Sequence, residues 1–308
     1  MSIYAFPTDP ELVAVAALYK NAAYVADSVF PRQPVGKREF RYYSYPVAES
    51  FLSVEDAVGR RSRPNQIDFS AAEVIAGCED HALDAPVPQD DINNAPKGYD
   101  PIKRAAMHTM DYIFANREVR AAALAFNAAN YPAANKVVLS GASQWSDVTS
   151  TPIATIKTGI DACLMPPNCM LIGRAAWTKL SQHPDILKAV NQSSGDKGVA
   201  ARQAVADMFE LDEVVVGNGW TNTAKKGQPA VLSRIWGKHA LLYYRDLNAD
   251  NNGGLTFGFT AEFGDKIGGQ IPDPNISADG GIMVRSGERV KEVIVANQAA
   301  YFIENAVA

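Results

Sequence analysis

The chain is predicted to be an α+β protein on three observations. An early pair of alternating segments encloses a polar, arginine-tipped excursion. One uninterrupted helical stripe occupies the middle, and beyond residue 137 short strands alternate with short helices. With 308 residues, 47% of them hydrophobic and 20% charged, the chain can bury a sizeable core, and its length favours two subdomains over one.

The first expected element is a helix over residues 11–27. Asp9 and Pro10 suit its N-cap and first turn. Leu12, Val15, Ala16, Tyr19, Ala23 and Ala26 recur at helical spacing, and Phe30-Pro31 with Pro34 stop it. A strand over 37–45 and a return strand over 66–71, where Ile67, Phe69 and Ala71 alternate with polar residues, flank the excursion 47–65. This arm carries Arg60, Arg61 and Arg63 near its end and has too little apolar surface to pack alone, since a two-stranded ribbon needs a third strand or a covering helix. Residues 79–100 hold six carboxylates, one lysine and three prolines, and are expected to run as extended chain pressed against a surface.

Asp100-Pro101 opens the longest helix, expected to reach residue 130 before Tyr131-Pro132 stops it, about 45 Å at 1.5 Å per residue. Met107, Met110, Phe114, Ala121 and Leu124 form its stripe. Thr151-Pro152 starts another helix with Ile153, Ile156 and Ile160 on one face, and further helices are expected at 175–180, 186–190 and 199–209. Strands are expected at 169–172, 213–216, 231–236, 240–244 and 255–259. The final stretch, 281–308, reads as strands turning at Ser286-Gly287 and running into the apolar Tyr301-Phe302-Ile303.

A net charge of −5 argues against a protein that condenses nucleic acid through its overall field. No run approaches the roughly 18 apolar residues of a membrane span, and the first residues lack the basic and apolar regions of a signal peptide. Cys78, Cys163 and Cys169 are too few and too scattered for a disulfide framework and imply reduced thiols in the cytoplasm. No propeptide is expected ahead of Met1, and the first residues are expected to be tied down.

The search for chemistry comes up empty. There is no phosphate loop and no G-x-G-x-x-G turn, and the Gly141-Ala142-Ser143-Gln144-Trp145 run lacks the last glycine of a nucleophile elbow. His81, His108, His183 and His239 have no metal-ligand spacing with one another or with cysteine. Asp246, Asn248 and Asp250 start like a calcium loop, but Asn251 and Phe257 occupy the positions of its glycine and glutamate. No catalytic residue, metal or cofactor is therefore predicted. Arg60, Arg61 and Arg63 offer forked donors suited to carboxylates. They are expected to pair with a neighbouring copy at Glu79, Asp80, Asp84, Asp90 or Asp91, setting register more than affinity; a solvated loop is the plain alternative.

Several strings carry a family resemblance. The run 24–31, from Tyr24 through Asp27 to Phe30-Pro31, and the run 78–83, from Cys78-Glu79-Asp80 to Leu83, bracket the arm. Trp145 and Asp147 precede Thr151-Pro152-Ile153, and Pro167-Asn168 leads into Met170 and Gly173. Asp207 and Phe209 precede 214–217, followed by Ile235-Trp236-Gly237 and Leu241-Leu242-Tyr243-Tyr244. These strings, and the order of parts around them, resemble tailed-bacteriophage major capsid proteins of the Hong Kong 97 type. The resemblance implies an N-terminal arm over 1–36, an extended loop (E-loop) over 37–78, and a peripheral domain over 79–150 holding a spine helix at about 100–130. An axial domain over 151–250 and C-terminal strands over 251–308, returning to the peripheral and axial domains, complete it.

The resemblance also implies a non-enzymatic subunit that self-assembles into hexamers and pentamers of an icosahedral shell around packaged double-stranded DNA. It would be found in the virion after assembly in the host cytoplasm, without a membrane. Because the arm begins at once, a separate scaffolding protein is expected, beside a portal and decoration proteins. Crosslinking through an E-loop lysine, as in some members, is not expected, since no lysine lies between Lys37 and Lys97. Closed shells need several different contacts per subunit, and reaching arms supply them. Two alternatives stand beside this reading: an encapsulin-like compartment shell of the same fold, and a cytoplasmic α/β enzyme with an unrecognised site.

Overall fold

The structure, a computed structural model, describes residues 9–18, 24–44, 53, 55–66, 72–191, 198–225, 227–249 and 255–308. Two helices stand where one was expected at 11–27: α1 (Pro10–Leu18), with the Asp9 carboxylate accepting the Glu11 N–H, and α2 (Ala26–Val29). The first eight residues, expected to be tied down, lie outside the described residues. After β1 (Arg32–Val35), β2 (Glu39–Ser44) pairs antiparallel with β3 (Ala72–Gly77) to form the base of the arm. The expected return strand at 66–71 falls mostly outside the described residues, and the pairing observed begins at its far end.

The acidic stretch then forms β4 (Glu79–Pro88) and the short α3 (Gln89–Asn93). Residues 79–88 are extended as expected and hydrogen-bonded along residues 281–290 besides, whereas 89–93, also expected to be extended, are helical. The long helix α4 (Pro101–Ala125) follows, its first turn capped by Asp100, whose carboxylate accepts the Ile102 and Lys103 N–H groups at 3.0 and 3.2 Å. It stops short of residue 130. Asn130 Nδ2 donates to the Leu124 carbonyl and the Tyr131 hydroxyl to that of Ala125, so side chains take the carbonyls that another turn would have used. At 25 residues it is about 37 Å long.

The rest of the chain runs β5 (Lys136–Val138), α5 (Pro152–Ala162), β6 (Cys169–Gly173), α6 (Arg174–Leu180), α7 (Pro184–Asn191), α8 (Arg202–Met208) and β7 (Glu213–Gly217). There follow β8 (Trp220–Asn222), β9 (Leu232–Arg234), β10 (Ala240–Tyr243), β11 (Gly258–Phe263), β12 (Ile267–Asp273), β13 (Gly281–Ile294) and β14 (Ala300–Glu304). These strands build two five-stranded sheets. In one, β13 is central: β4 pairs along one side of it, β11 and β12 follow each other along its other side, and β1 adds parallel to β11. The other has the order β5-β14-β10-β6-β7.

The second sheet explains its own apolar runs. Met170, Ile172, Val214, Val216, Leu242 and Ile303 face α5 to α8, while Leu171, Val215, Leu241, Tyr243 and Phe302 face the C-terminal part of α4. Strands buried on both faces read as continuous apolar segments, which is why β6, β7, β10 and β14 were visible in the sequence. Two expectations are corrected. The strand placed at 255–259 lies at 258–263. The turn at Ser286-Gly287 does not exist: both residues sit inside β13, opposite Leu83 and Ala82. Gly287 serves close approach instead, since a Cβ there would lie 2.7 Å from the His81 carbonyl oxygen.

Candidate assembly interface

Among the described residues, the arm leans on its own chain only at its root. Phe40 packs with Cys78, Ala261 and Val293, and its ring lies 6.1 Å from Phe259, which also meets Tyr42 edge-on. Beyond the root the support ends: Ile75 is 55% exposed, and every described residue from 55 to 66 is exposed. At the tip the Ser62 N–H donates to the Gly59 carbonyl at 2.9 Å, placing Arg60 and Arg61 at the two central positions of a turn. With Arg63 they present three guanidiniums to solvent, and none has an ion-pair partner among the described residues.

Most of the carboxylates expected to receive such arginines are engaged within the subunit. Asp84 takes both Nε and Nη2 of Arg285, at 2.7 and 2.6 Å, directly across the β4–β13 pair. Asp80 bridges Arg289 on β13 and Arg38 at the root of the arm, at 2.9 and 2.7 Å. Glu79 pairs with Lys291. Between the two arginine pairs lies a groove of about 370 Å³ that Ala82, Leu83 and Ile267 also line. Asp90 and Asp91, in the first turn of α3, are exposed and have no ion pair among the described residues.

The sequence reading missed the joint where the α2 segment, the long helix and both sheets meet. Its signal was there: Arg117 and Glu118 interrupt the apolar stripe of α4 one turn before Ala121, and both side chains are buried. Glu118 accepts the N–H groups of Val25 and Ala26 at 2.7 and 2.8 Å, capping α2 from the long helix, and also the Trp236 indole N–H. Burial pushes its carboxyl up, against the pull of those three donors. Arg117 reaches Asp27 at 2.6 Å and the Thr260 hydroxyl at 3.0 Å, with Glu292 at 3.5 Å. Arg32 adds Asp27, Glu262 and Glu288 at 2.8–3.0 Å. Burial alone would raise Asp27, but the Arg117 and Arg32 guanidiniums override it and hold the carboxyl below its usual range. Met107, expected on the buried stripe, is 43% exposed; Ala106, Met110 and Ile113 occupy that face.

His183 and the half-buried or buried cysteines are held structurally. Nδ1 of buried His183 accepts the Asp185 N–H at the start of α7, and Nε2 lies 3.2 Å from the Ser150 hydroxyl and 3.1 Å from the Asp147 carbonyl. With its second nitrogen spent on a helix N-terminus, that Ser–His pair lacks the orienting carboxylate of a triad. Burial pushes the Cys163 thiol up to about 12 and the Cys169 thiol to about 11, far from a nucleophile's range. Among the described residues no group of three or more His, Cys, Asp or Glu side chains could hold a metal, and no helix is long and apolar enough to cross a membrane. Asn248 donates its N–H to the Asp246 carboxylate in a local turn; residues 250–254 of the calcium-like run lie outside the described residues.

A projecting arm, a long helix and two sheets pinned at one buried joint describe a building block. Comparison with known proteins agrees. A family model described as phage major capsid protein E matches residues 125–265. The major capsid protein of Pseudomonas phage JBD67 is 46% identical over the full length of both chains, and that of Burkholderia phage BcepMu is 27% identical, covering 96% of this chain and 95% of its own. A phage-related protein of Bordetella bronchiseptica RB50 superposes with a TM-score of 0.78 at 23% identity, covering 98% of this chain and 99% of its own. The capsid of cyanophage P-SCSP1u gives 0.60 at 12% identity, covering 99% and 92%. The chain belongs to the phage major capsid proteins. Its fold is the Hong Kong 97-like capsid fold, and its role is structural, in the virion.

Proposed function

We propose that the chain assembles into hexamers and pentamers of an icosahedral head that encloses packaged double-stranded DNA, each subunit laying its arm on the next. The observation that carries this reading is the arm itself. A ribbon anchored at Phe40 and Tyr42 and exposed beyond them is marginal in water unless another copy covers it. The domain division at residues 36, 78, 150 and 250 belongs to this proposal, as do a separate scaffolding protein, a portal and decoration proteins as partners and assembly in the host cytoplasm. We assign the chain no catalytic role. The major-capsid relative at 46% identity favours the DNA-filled head over the encapsulin-like compartment.

Arg60, Arg61 and Arg63 grip the neighbour in this reading. Glu79, Asp80 and Asp84 already carry cations of their own subunit, so Asp90 and Asp91 are the carboxylates best placed to receive them. Replacing the three arginines by alanine should lower the yield of particles severalfold while the unassembled subunit keeps its thermal midpoint. Particles of normal yield and stability from that triple variant would remove the grip. DNA protected from nuclease inside purified particles tests the cargo, and protein-filled, DNA-free shells would argue for the compartment alternative.

A further inference from the structure

We propose that the β8–β9 ribbon is a second contact between copies of this chain, resting on the shell-subunit reading but independent of the arm. The ribbon projects between β7 and β10 and pairs only with itself among the described strands. Its register puts Trp220 opposite Arg234 and Asn222 opposite Leu232, so Trp220, Leu232 and Arg234 share one face and Thr221 and Ser233 the other. The apolar face is the outer one: Trp220 is 51% exposed and Leu232 63%, while Thr221 and Ser233 on the other face are half-buried. A ribbon folded for its own stability would be turned the other way.

The face is also held ready. The Arg234 guanidinium stacks 3.8 Å from the Trp220 ring centroid, and its Nη1 donates to the Asn218 carbonyl at 2.7 Å, fixing the indole in place. Behind it the Ile235 N–H donates to the Gly219 carbonyl, and the Ile235 side chain lies against Gly219, rooting the ribbon on the body of the subunit. A pre-ordered tryptophan beside an exposed leucine is the usual centre of a protein contact, because little side-chain freedom is lost when it is covered.

Charge selects the occupant. From residue 218 to 234 the chain has Lys225, Lys226 and Arg234 and no carboxylate, within a subunit whose net charge is −5. Another copy carries a net negative charge, so attraction to this basic ribbon favours a second subunit as its occupant and orients the encounter. Nucleic acid is the weaker fit, because Arg234 is already committed to Trp220 and Asn218 and the exposed area is aliphatic as well as aromatic.

The test uses the full-length chain. Leu232→Glu, at an exposed position, should cut the yield of sedimenting particles at least tenfold and leave the thermal midpoint of the unassembled subunit unchanged. Particles of wild-type yield and stability would overturn the proposal. Should the variant misfold, a photo-crosslinking residue substituted at Leu232 decides instead. Irradiated particles should give covalent dimers joined through the ribbon, whereas crosslinks confined to one chain, or made to DNA, would overturn it. Wild-type chain that forms no particles under any of these conditions would instead sink the shell-subunit reading on which the ribbon contact rests.

Discussion

Glu118 and Asp27 sit at the same joint and titrate with opposite signs. Glu118 holds its proton more tightly in the fold than in the unfolded chain, because burial outweighs its three donors. Its contribution to stability is therefore full below the unfolded carboxyl pKa of about 4.3, and is lost as pH rises through the higher native value. Asp27, held low by Arg117 and Arg32, contributes above about 3.9, and that contribution is lost as pH falls through its native value. Asp27→Asn should thus lower the urea midpoint of the unassembled subunit at neutral pH and converge with the wild type in acid; an equal gap at both would contradict the ion-pair account. Glu118→Ala strands two backbone N–H groups and an indole N–H, each costing about 1–3 kcal/mol if left unpaired, and should destabilise the subunit by about 3–5 kcal/mol in urea titrations. A loss below about 1 kcal/mol would show that water replaces the carboxylate.

At the scale of elements, close approach explains more than turn chemistry. Gly217 ends β7 under the Trp236 ring, where a Cβ would lie 2.2 Å from Cδ1, so Gly217→Ala should cost about 1–3 kcal/mol by displacing the indole from Glu118. Gly36→Ala, with nothing within 4 Å, is the neutral control, and equal thermal midpoints for the two variants would refute the packing argument. The same physics marks what was legible in the sequence. The runs around Leu171, Val215, Leu241 and Phe302 announced strands because both faces are buried, and Pro101 and Pro152 announced helix starts. Ser286-Gly287 misled because a glycine beside a serine looks like a turn, while its real partner, the His81 carbonyl, lies some two hundred residues away in sequence and carries no local signal. β8, at three residues, is too short for periodicity to reveal, whereas β9 falls inside the strand expected at 231–236.

Among the described residues the molecule is two five-stranded sheets and a long helix pinned by one buried polar joint, with an arm and a ribbon that its own chain covers incompletely. The arm was legible from composition alone: a polar, arginine-rich excursion cannot be a core. The carboxylates proposed to receive it were legible only as a charge run, because which of them are already spent depends on β4 lying along β13, a pairing across two hundred residues. Heterologous contacts of modest size, repeated through a lattice, are sufficient to close a shell, and the arm and the ribbon are proposed as two such contacts. Cryo-electron microscopy of particles isolated from cells producing this protein tests that claim most directly. The account predicts closed shells of hexamers and pentamers in which each Arg60–Arg63 tip lies on an adjacent subunit; discrete monomers, or shells whose arm tips touch only solvent, would contradict it.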